Sequence, residues 1–150
     1  MRVVLQKVKQ ASVKSGDYYQ SIDQGYCLLV GIGEHTTEED LKVVAKKIAN
    51  TRVFEDEQGK MNLSINDVGG KILSISQFTL YANIKKGNRP SFTDAKSPEI
   101  AKEMYEKFNE ILRGHQLEVF SGVFGEMMDI ALINDGPVTI IFESVEGKIQ

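Results

Sequence analysis

From Val3 to Val13 and from Tyr18 to Val30 the chain alternates apolar and polar residues with the two-residue period of half-buried strands. Lys14-Ser15-Gly16-Asp17 between them has the composition of a hairpin turn, and Asp23-Gln24-Gly25 breaks the second run, so the chain opens as a meander. The period then changes to that of a helix. Thr36-Thr37-Glu38-Glu39 reads as a capping-box start, after which Leu41, Val44, Ala45 and Ile48 share one face and lysines occupy the other. A turn-rich stretch from Glu55 to Gly70 leads into a predicted strand from Lys71 to Tyr81. It places Ile72, Ser74, Ser76 and Phe78 on one side, and Leu73, Ile75 and Gln77 on the other. Ser97 with Pro98 predicts the start of a second helix, Ile100, Met104, Phe108 and Ile111 its apolar stripe, and Gly114 its stop. Strand periodicity returns at Leu117 to Phe120, Met128 to Ile133 and Val138 to Phe142, with Gly122-Val123-Phe124-Gly125 as a connection. The fold class this predicts is α/β: one domain over residues 1–150, a mixed, mostly antiparallel twisted sheet in a layered β/β/α arrangement with two main helices.

Composition narrows the function. The 150 residues are 41% hydrophobic and 26% charged, ordinary for one globular domain. No apolar run approaches the roughly 18 residues of a membrane span, and Met1 to Gln10 alternates where a signal peptide would be continuously apolar, which predicts a cytoplasmic protein. Cys27 lies in the apolar run Tyr26 to Val30 and reads as a small buried hydrophobe rather than a thiol nucleophile. His35 and His115 stand in loop-like contexts without a second ligand nearby, so neither a metal nor another cofactor is expected. A net charge of −3 provides no global basic field, and any nucleic-acid contact must be local. The best cluster is Lys85-Lys86-Gly87-Asn88-Arg89-Pro90; a second lies on the first helix at Lys42, Lys46, Lys47 and Arg52. A solvated face is the competing reading of both.

Two segments are unusual enough to carry chemistry. Asn134-Asp135-Gly136-Pro137-Val138-Thr139 puts a Gly-Pro step between two strand-like runs, where proline withholds a ladder N–H and glycine leaves backbone carbonyls uncrowded. A plain turn opening the last strand is the alternative. The predicted strand from Lys71 ends in Ser74-Ile75-Ser76-Gln77-Phe78-Thr79-Leu80, a cluster of hydroxyls and an amide. Thr79 would act as a nucleophile or water-positioning group only with a base, and no histidine is locally paired with it. Backbone N–H groups at the strand end are the other means of holding a carbonyl or oxyanion.

Ser76-Gln77-Phe78-Thr79-Leu80, Lys86 to Phe92, Gly122 to Gly125 with Met128, and Asn134 to Thr139 occur in an order and spacing that resembles the D-aminoacyl-tRNA deacylases. The opening Met1 to Val8, followed by Ala11-Ser12-Val13, is similar too, so the resemblance covers essentially the whole chain. It implies a cytosolic homodimer that cleaves the ester between a D-amino acid and the 3′-terminal adenosine of tRNA. It also implies a cis Gly136–Pro137 bond, whose carbonyls enter the partner subunit's pocket, grip the substrate's α-amino group and leave no room for an L side chain. Ser76, Gln77, Phe78 and Thr79 would form the catalytic cradle, with the amides of Phe78 and Thr79 as oxyanion donors and the RNA's own 2′-hydroxyl in place of a protein base. Phe124 and Met128 would line the pocket. Lys85, Lys86 and Arg89 would meet the acceptor end of the tRNA; neither DNA nor a membrane is an expected partner. A site that excludes an L side chain has no steric ground for rejecting glycine, so glycine mischarged on tRNA(Ala) is a further expected substrate. Two residues depart from the family pattern. Lys7 stands where arginine is usual and cannot make arginine's planar bidentate contact. Glu126 replaces a small residue beside the pocket-lining segment. A non-catalytic RNA-binding module of the same fold, and a hydrolase with a conventional Ser or Thr nucleophile, are the competing functional readings.

Overall fold

The computed structural model describes residues 1–150. Strand β1 (Arg2–Ser15) pairs antiparallel with β2 (Tyr18–Ile22), with β3 (Gly25–Gly31) and with the long β8 (Asp129–Val145). Beyond β3 lie β6 (Lys71–Ser76) and β7 (Val119–Ser121), both parallel to it, and β9 (Lys148–Ile149) closes the opposite edge. Helices α1 (Glu38–Asn50) and α2 (Pro98–Gly114) cover one face, and β4 (Arg52–Glu55) forms a separate two-stranded ribbon with β5 (Met61–Ser64), which falls within the stretch read as turns. The mixed, mostly antiparallel sheet with two helices is as expected.

Both faces of the sheet are packed. Val3, Leu5, Tyr26, Leu28 and Ile72 meet Leu41, Val44, Ile48, Phe108 and Leu112 in the main core beneath the helices. Val8, Ala11, Val13, Ile22, Cys27, Leu73 and Ile75 form a smaller core where the sheet curls over itself. In β1, Val3 and Leu5 face the main core, whereas Val8, Ala11 and Val13 face the smaller one, and the pairing with β8 shifts register on both sides of Val8, with one extra β1 residue between Val8 and Gln10. A one-residue slip in a strand exchanges its faces, which is how one strand serves both cores. Cys27 lies in the smaller core, where burial pushes its thiol up to about 11 and keeps it an unreactive hydrophobe.

Four local expectations are corrected. The capping box is Thr37 with Asp40, one residue later than read: Asp40 Oδ2 accepts from the Thr37 amide at 2.8 Å. Asp40 Oδ1 is also taken, by Ser144 Oγ at 2.5 Å and the Gly147 amide at 2.7 Å, tying α1 to the end of β8. Burial alone would raise this carboxyl, but the hydrogen bonds outweigh it and hold the pKa below the ordinary carboxylate value. The fully buried stripe of α2 is Ala101, Tyr105, Phe108 and Leu112; of the predicted set Phe108 belongs to it, Met104 and Ile111 pack half-buried on its flank, and Ile100 is 51% exposed. The stripe turns because the Tyr105 hydroxyl reaches across to the Ser74 carbonyl at 2.7 Å. The strand from Lys71 stops at Ser76, and Phe78–Tyr81 is a 3₁₀ turn. The two predicted strands Met128 to Ile133 and Val138 to Phe142 are parts of one strand, β8.

Candidate active site

Strands β3, β6 and β7 run in the same direction and end at Gly31, Ser76 and Ser121. The carboxyl ends of parallel strands are where open α/β sheets leave a crevice. Leaving β6, the chain is held by the Gln77 amide, which donates to the Val30 carbonyl at 2.8 Å, and then enters the 3₁₀ turn. The turn closes with Leu80 N to Gln77 O at 3.3 Å and Ala82 N to Thr79 O at 3.0 Å. A helical turn leaves its first amides without internal acceptors. Here these are Phe78 and Thr79, whose N–H groups donate to no other group of the chain. Phe78 is 57% exposed, and its ring meets Phe92 edge-on at 5.1 Å between centroids.

The Gln77 side-chain amide donates to Thr79 Oγ1. An amide N–H cannot take up a proton, so the group touching the Thr79 hydroxyl is not a base that would make it a nucleophile. Ser76 is half-buried at the strand end. Phe124 packs against Tyr105 at 5.9 Å on the wall of an open cleft of about 580 Å³, bounded by α2 and the segment Ser121 to Phe124 and lined by none of Ser76 to Thr79. Met128 packs, half-buried, on the smaller core, and Glu126 is exposed.

Arg2, Tyr81 and Gly33 fix the other end of the turn, and sequence reasoning missed all three. Arg2 Nη1 donates to the Leu80 carbonyl at 3.0 Å, its Nε meets Glu143 at 3.2 Å, and its guanidinium lies 4.7 Å over the Tyr81 ring. A Cβ on Gly33 would sit 2.6 Å from that ring, so only glycine admits this packing. The readable signal was an arginine at the head of an otherwise core-forming strand.

Gly136 and Pro137 lie elsewhere. Gln6 is opposite Thr139 and Val8 opposite Asn134, so Lys7 alone faces the four residues Asp135 to Val138, which bulge out of the ladder. The Gly136–Pro137 bond is cis, Gly136 has φ +128°, and both residues are exposed. Lys7 is buried; its ammonium lies 3.8 Å from the Asp135 carboxylate and 5.1 Å over the Phe54 ring. That is the single ion pair between the Lys7 side chain and the bulge, against the two-pronged contact open to an arginine. From Ser76 the register crosses three strand steps and runs about four residues along, roughly 20 Å by ordinary strand spacing. One subunit does not bring the Gly-Pro bulge to the Ser76–Thr79 turn.

Lys85, Lys86 and Arg89 occupy an exposed loop pinned at its base by the paired backbones of Asn83 and Ser91, at 2.7 and 2.9 Å. None of the three makes an ion pair, and the loop returns to the turn through Phe92 on Phe78.

A curled α/β domain with a strand-end turn that offers free amides, hydroxyls and a carboxamide, and no base on the Thr79 hydroxyl, has groups with which a hydrolase can work through fixed dipoles. The chain belongs to the D-Tyr-tRNA(Tyr) deacylase family, hydrolases acting on ester bonds, whose model matches residues 4–143. It is 60% identical over 149 residues, 99% of each chain, to the D-aminoacyl-tRNA deacylase of Macrococcus caseolyticus (strain JCSC5402). It is 55% identical over 150 residues, the whole of both chains, to that of Staphylococcus aureus (strain JH9). A solved structure described as "c-Myc DNA Unwinding Element Binding Protein" superposes with a TM-score of 0.89 at 42% identity, covering 97% of this chain and 99% of that one. A probable eukaryotic D-amino acid tRNA deacylase shares the fold, with a TM-score of 0.82 at 19% identity, covering 94% of this chain and 97% of that one.

Proposed function

We propose that this protein hydrolyses the ester of D-aminoacyl-tRNA, releasing the free D-amino acid and tRNA, as a cytoplasmic homodimer in which Gly136 and Pro137 of one subunit complete the pocket of the other. The observation that carries this reading is the pair of unpaired amides at Phe78 and Thr79 on a turn where the Thr79 hydroxyl meets a side-chain amide rather than a base. Water adds to the ester carbonyl, the carbonyl oxygen becomes an oxyanion held by the two amides, and the C–O bond to the ribose breaks with the proton passing to the departing 3′-oxygen. The vicinal 2′-hydroxyl of the RNA assists the proton transfer. Ser76, Gln77, Phe78 and Thr79 cradle the terminal adenosine and the ester, while Phe124 and Met128 line the pocket. The carbonyls around Gly136 and Pro137 accept from the α-ammonium group, and an L side chain would collide with them. Glycine, having no side chain to exclude, is a substrate too, including when it is mischarged on tRNA(Ala).

Two features support the dimer. The site is incomplete within one chain, because the bulge and the turn stand roughly 20 Å apart along the sheet. The bulge is also flanked on β8 by outward-facing apolar residues, Ile133 at 49% and Ile141 at 68% exposure, which a self-complementary two-fold contact would cover. The deciding experiment compares D-tyrosyl-tRNA with L-tyrosyl-tRNA on the purified protein. Cleavage of the D-ester alone is expected. Cleavage of neither would favour a binding module, and equal cleavage of both a general esterase.

Lys85, Lys86 and Arg89 would meet acceptor-end phosphates. Replacing all three with alanine should weaken tRNA binding and lower the slope of log K against log salt by about 2 to 3, near one per lost contact. Hydrolysis of a short aminoacyl-adenosine mimic should persist. Equal losses on tRNA and mimic would reject this patch.

A further inference from the structure

We propose that Arg2 is the positioning residue of the catalytic turn, holding Phe78–Tyr81 from its C-terminal end so that the unpaired amides of Phe78 and Thr79 point at one place. The inference rests on the reading of those amides as the oxyanion donors. A four-residue 3₁₀ turn has few hydrogen bonds of its own, two of them at 3.0 and 3.3 Å, and cannot set the direction of its first amides unaided. The contacts fixing it come from outside. Arg2 donates Nη1 to the Leu80 carbonyl at 3.0 Å, one of the acceptors the turn leaves orphaned at its end. The same guanidinium covers one face of Tyr81 at 4.7 Å, while Gly33 lies so close to the ring that a Cβ would be 2.6 Å from it. The last two residues of the turn are therefore clamped.

The clamp is referenced to the rest of the sheet. Arg2 is the direct cross-strand partner of Glu143 on β8, and its Nε meets that carboxylate at 3.2 Å. The guanidinium thus joins the turn to β8, the strand that carries the Gly-Pro bulge. Both side chains of the ion pair are partly exposed, where such a pair contributes little to stability. Three simultaneous contacts in three directions from one side chain are a geometric constraint instead. A lysine supplies a single point of charge and cannot reproduce the fork and the stacked plane together.

The test compares Arg2→Ala, Arg2→Lys and Gly33→Ala with the wild type. In Arg2→Ala, kcat for a D-aminoacyl ester should fall by about 10- to 100-fold, the scale of a misplacement near 1 Å, with KM changed less than about threefold. Arg2→Lys should recover only part of the loss. Amide hydrogen exchange at Leu80, Tyr81 and Ala82 should accelerate by about tenfold or more in Arg2→Ala, while protection in α1 and α2 stays unchanged; a merely stabilising residue would shift all regions together. Gly33→Ala displaces the Tyr81 ring without touching Arg2 and should give the same local exchange and kcat loss, which keeps the test decisive if Arg2→Ala folds poorly. Wild-type kcat and unchanged exchange in a folded Arg2→Ala would overturn the proposal. A wild type without ester hydrolysis would remove the functional reading and the catalytic part of this one, with the exchange data still deciding whether Arg2 holds the turn.

Discussion

Gly136→Ala is expected to reduce kcat/KM for D-tyrosyl-tRNA by about 100-fold or more while the domain remains folded. Gly136 has φ +128°, a region from which an L side chain is largely barred, at a cost on the order of 1 to 3 kcal/mol. The added Cβ would also lie 2.9 Å from Val138 Cγ2 and 3.1 Å from the Val138 amide nitrogen. The backbone must rotate to relieve both, and the carbonyls on either side rotate with it. These are the groups assigned to the substrate's α-ammonium, so the change falls on catalysis. The fold is spared because Gly136 and Pro137 are exposed and belong to neither core. Single-turnover hydrolysis of D- and L-tyrosyl-tRNA, with thermal unfolding as the folding control, checks this. A variant that still cleaves the D-ester at the wild-type rate would take Gly136 out of the site and leave an esterase centred on Thr79.

The same bulge marks how far the sequence could be read. Gly136-Pro137 stood out because proline withholds a ladder N–H, and that argument needed no partner residue. That β8 continues on both sides of the step did not follow, since the continuity depends on β1, which matches Lys7 against four residues and then carries an extra residue of its own before Gln10. Pairing across more than 120 positions leaves no trace in local periodicity. The capping box was one residue out of phase and the α2 stripe was rotated at every predicted position but Phe108, for a related reason. Thr36 and Thr37 offer equivalent hydroxyls with acids three residues on, and the choice goes to Asp40 because Ser144 and Gly147 already bind it. The α2 face is chosen by Tyr105 reaching Ser74 in a different element. Local residue types thus specified which elements form, and long-range polar contacts specified their phase. In the site, the turn residues Ser76 to Thr79 were legible as an anomaly of composition, whereas Arg2 and Gly33 act only through what the fold brings against them.

Phe78→Pro separates the amide from the side chain at the centre of the proposed mechanism. Proline normally damages a helical turn, yet position 78 meets the conditions under which it does not. Phe78 is the first residue of the turn, and its N–H donates to no other group, so no internal hydrogen bond is lost. Gln77 before it has φ −148° and ψ 84°, outside the helical region that proline denies its predecessor. The substitution therefore deletes one donor and one ring. Phe78→Ala deletes the ring alone, ending its 5.1 Å contact with Phe92, and should act mainly on KM through lost stacking on the adenine. Relative to Phe78→Ala, Phe78→Pro is expected to lose a further 10²- to 10³-fold in kcat, about 2.7 to 4 kcal/mol, the scale for removing one oxyanion donor. Matching kcat values in the two variants would mean that the Phe78 amide does not face the developing charge, and that stabilisation must come from Thr79 and the RNA alone. A large loss confined to Phe78→Pro would instead identify the backbone as the catalyst, in agreement with a turn where the Thr79 hydroxyl is touched by an amide and no base.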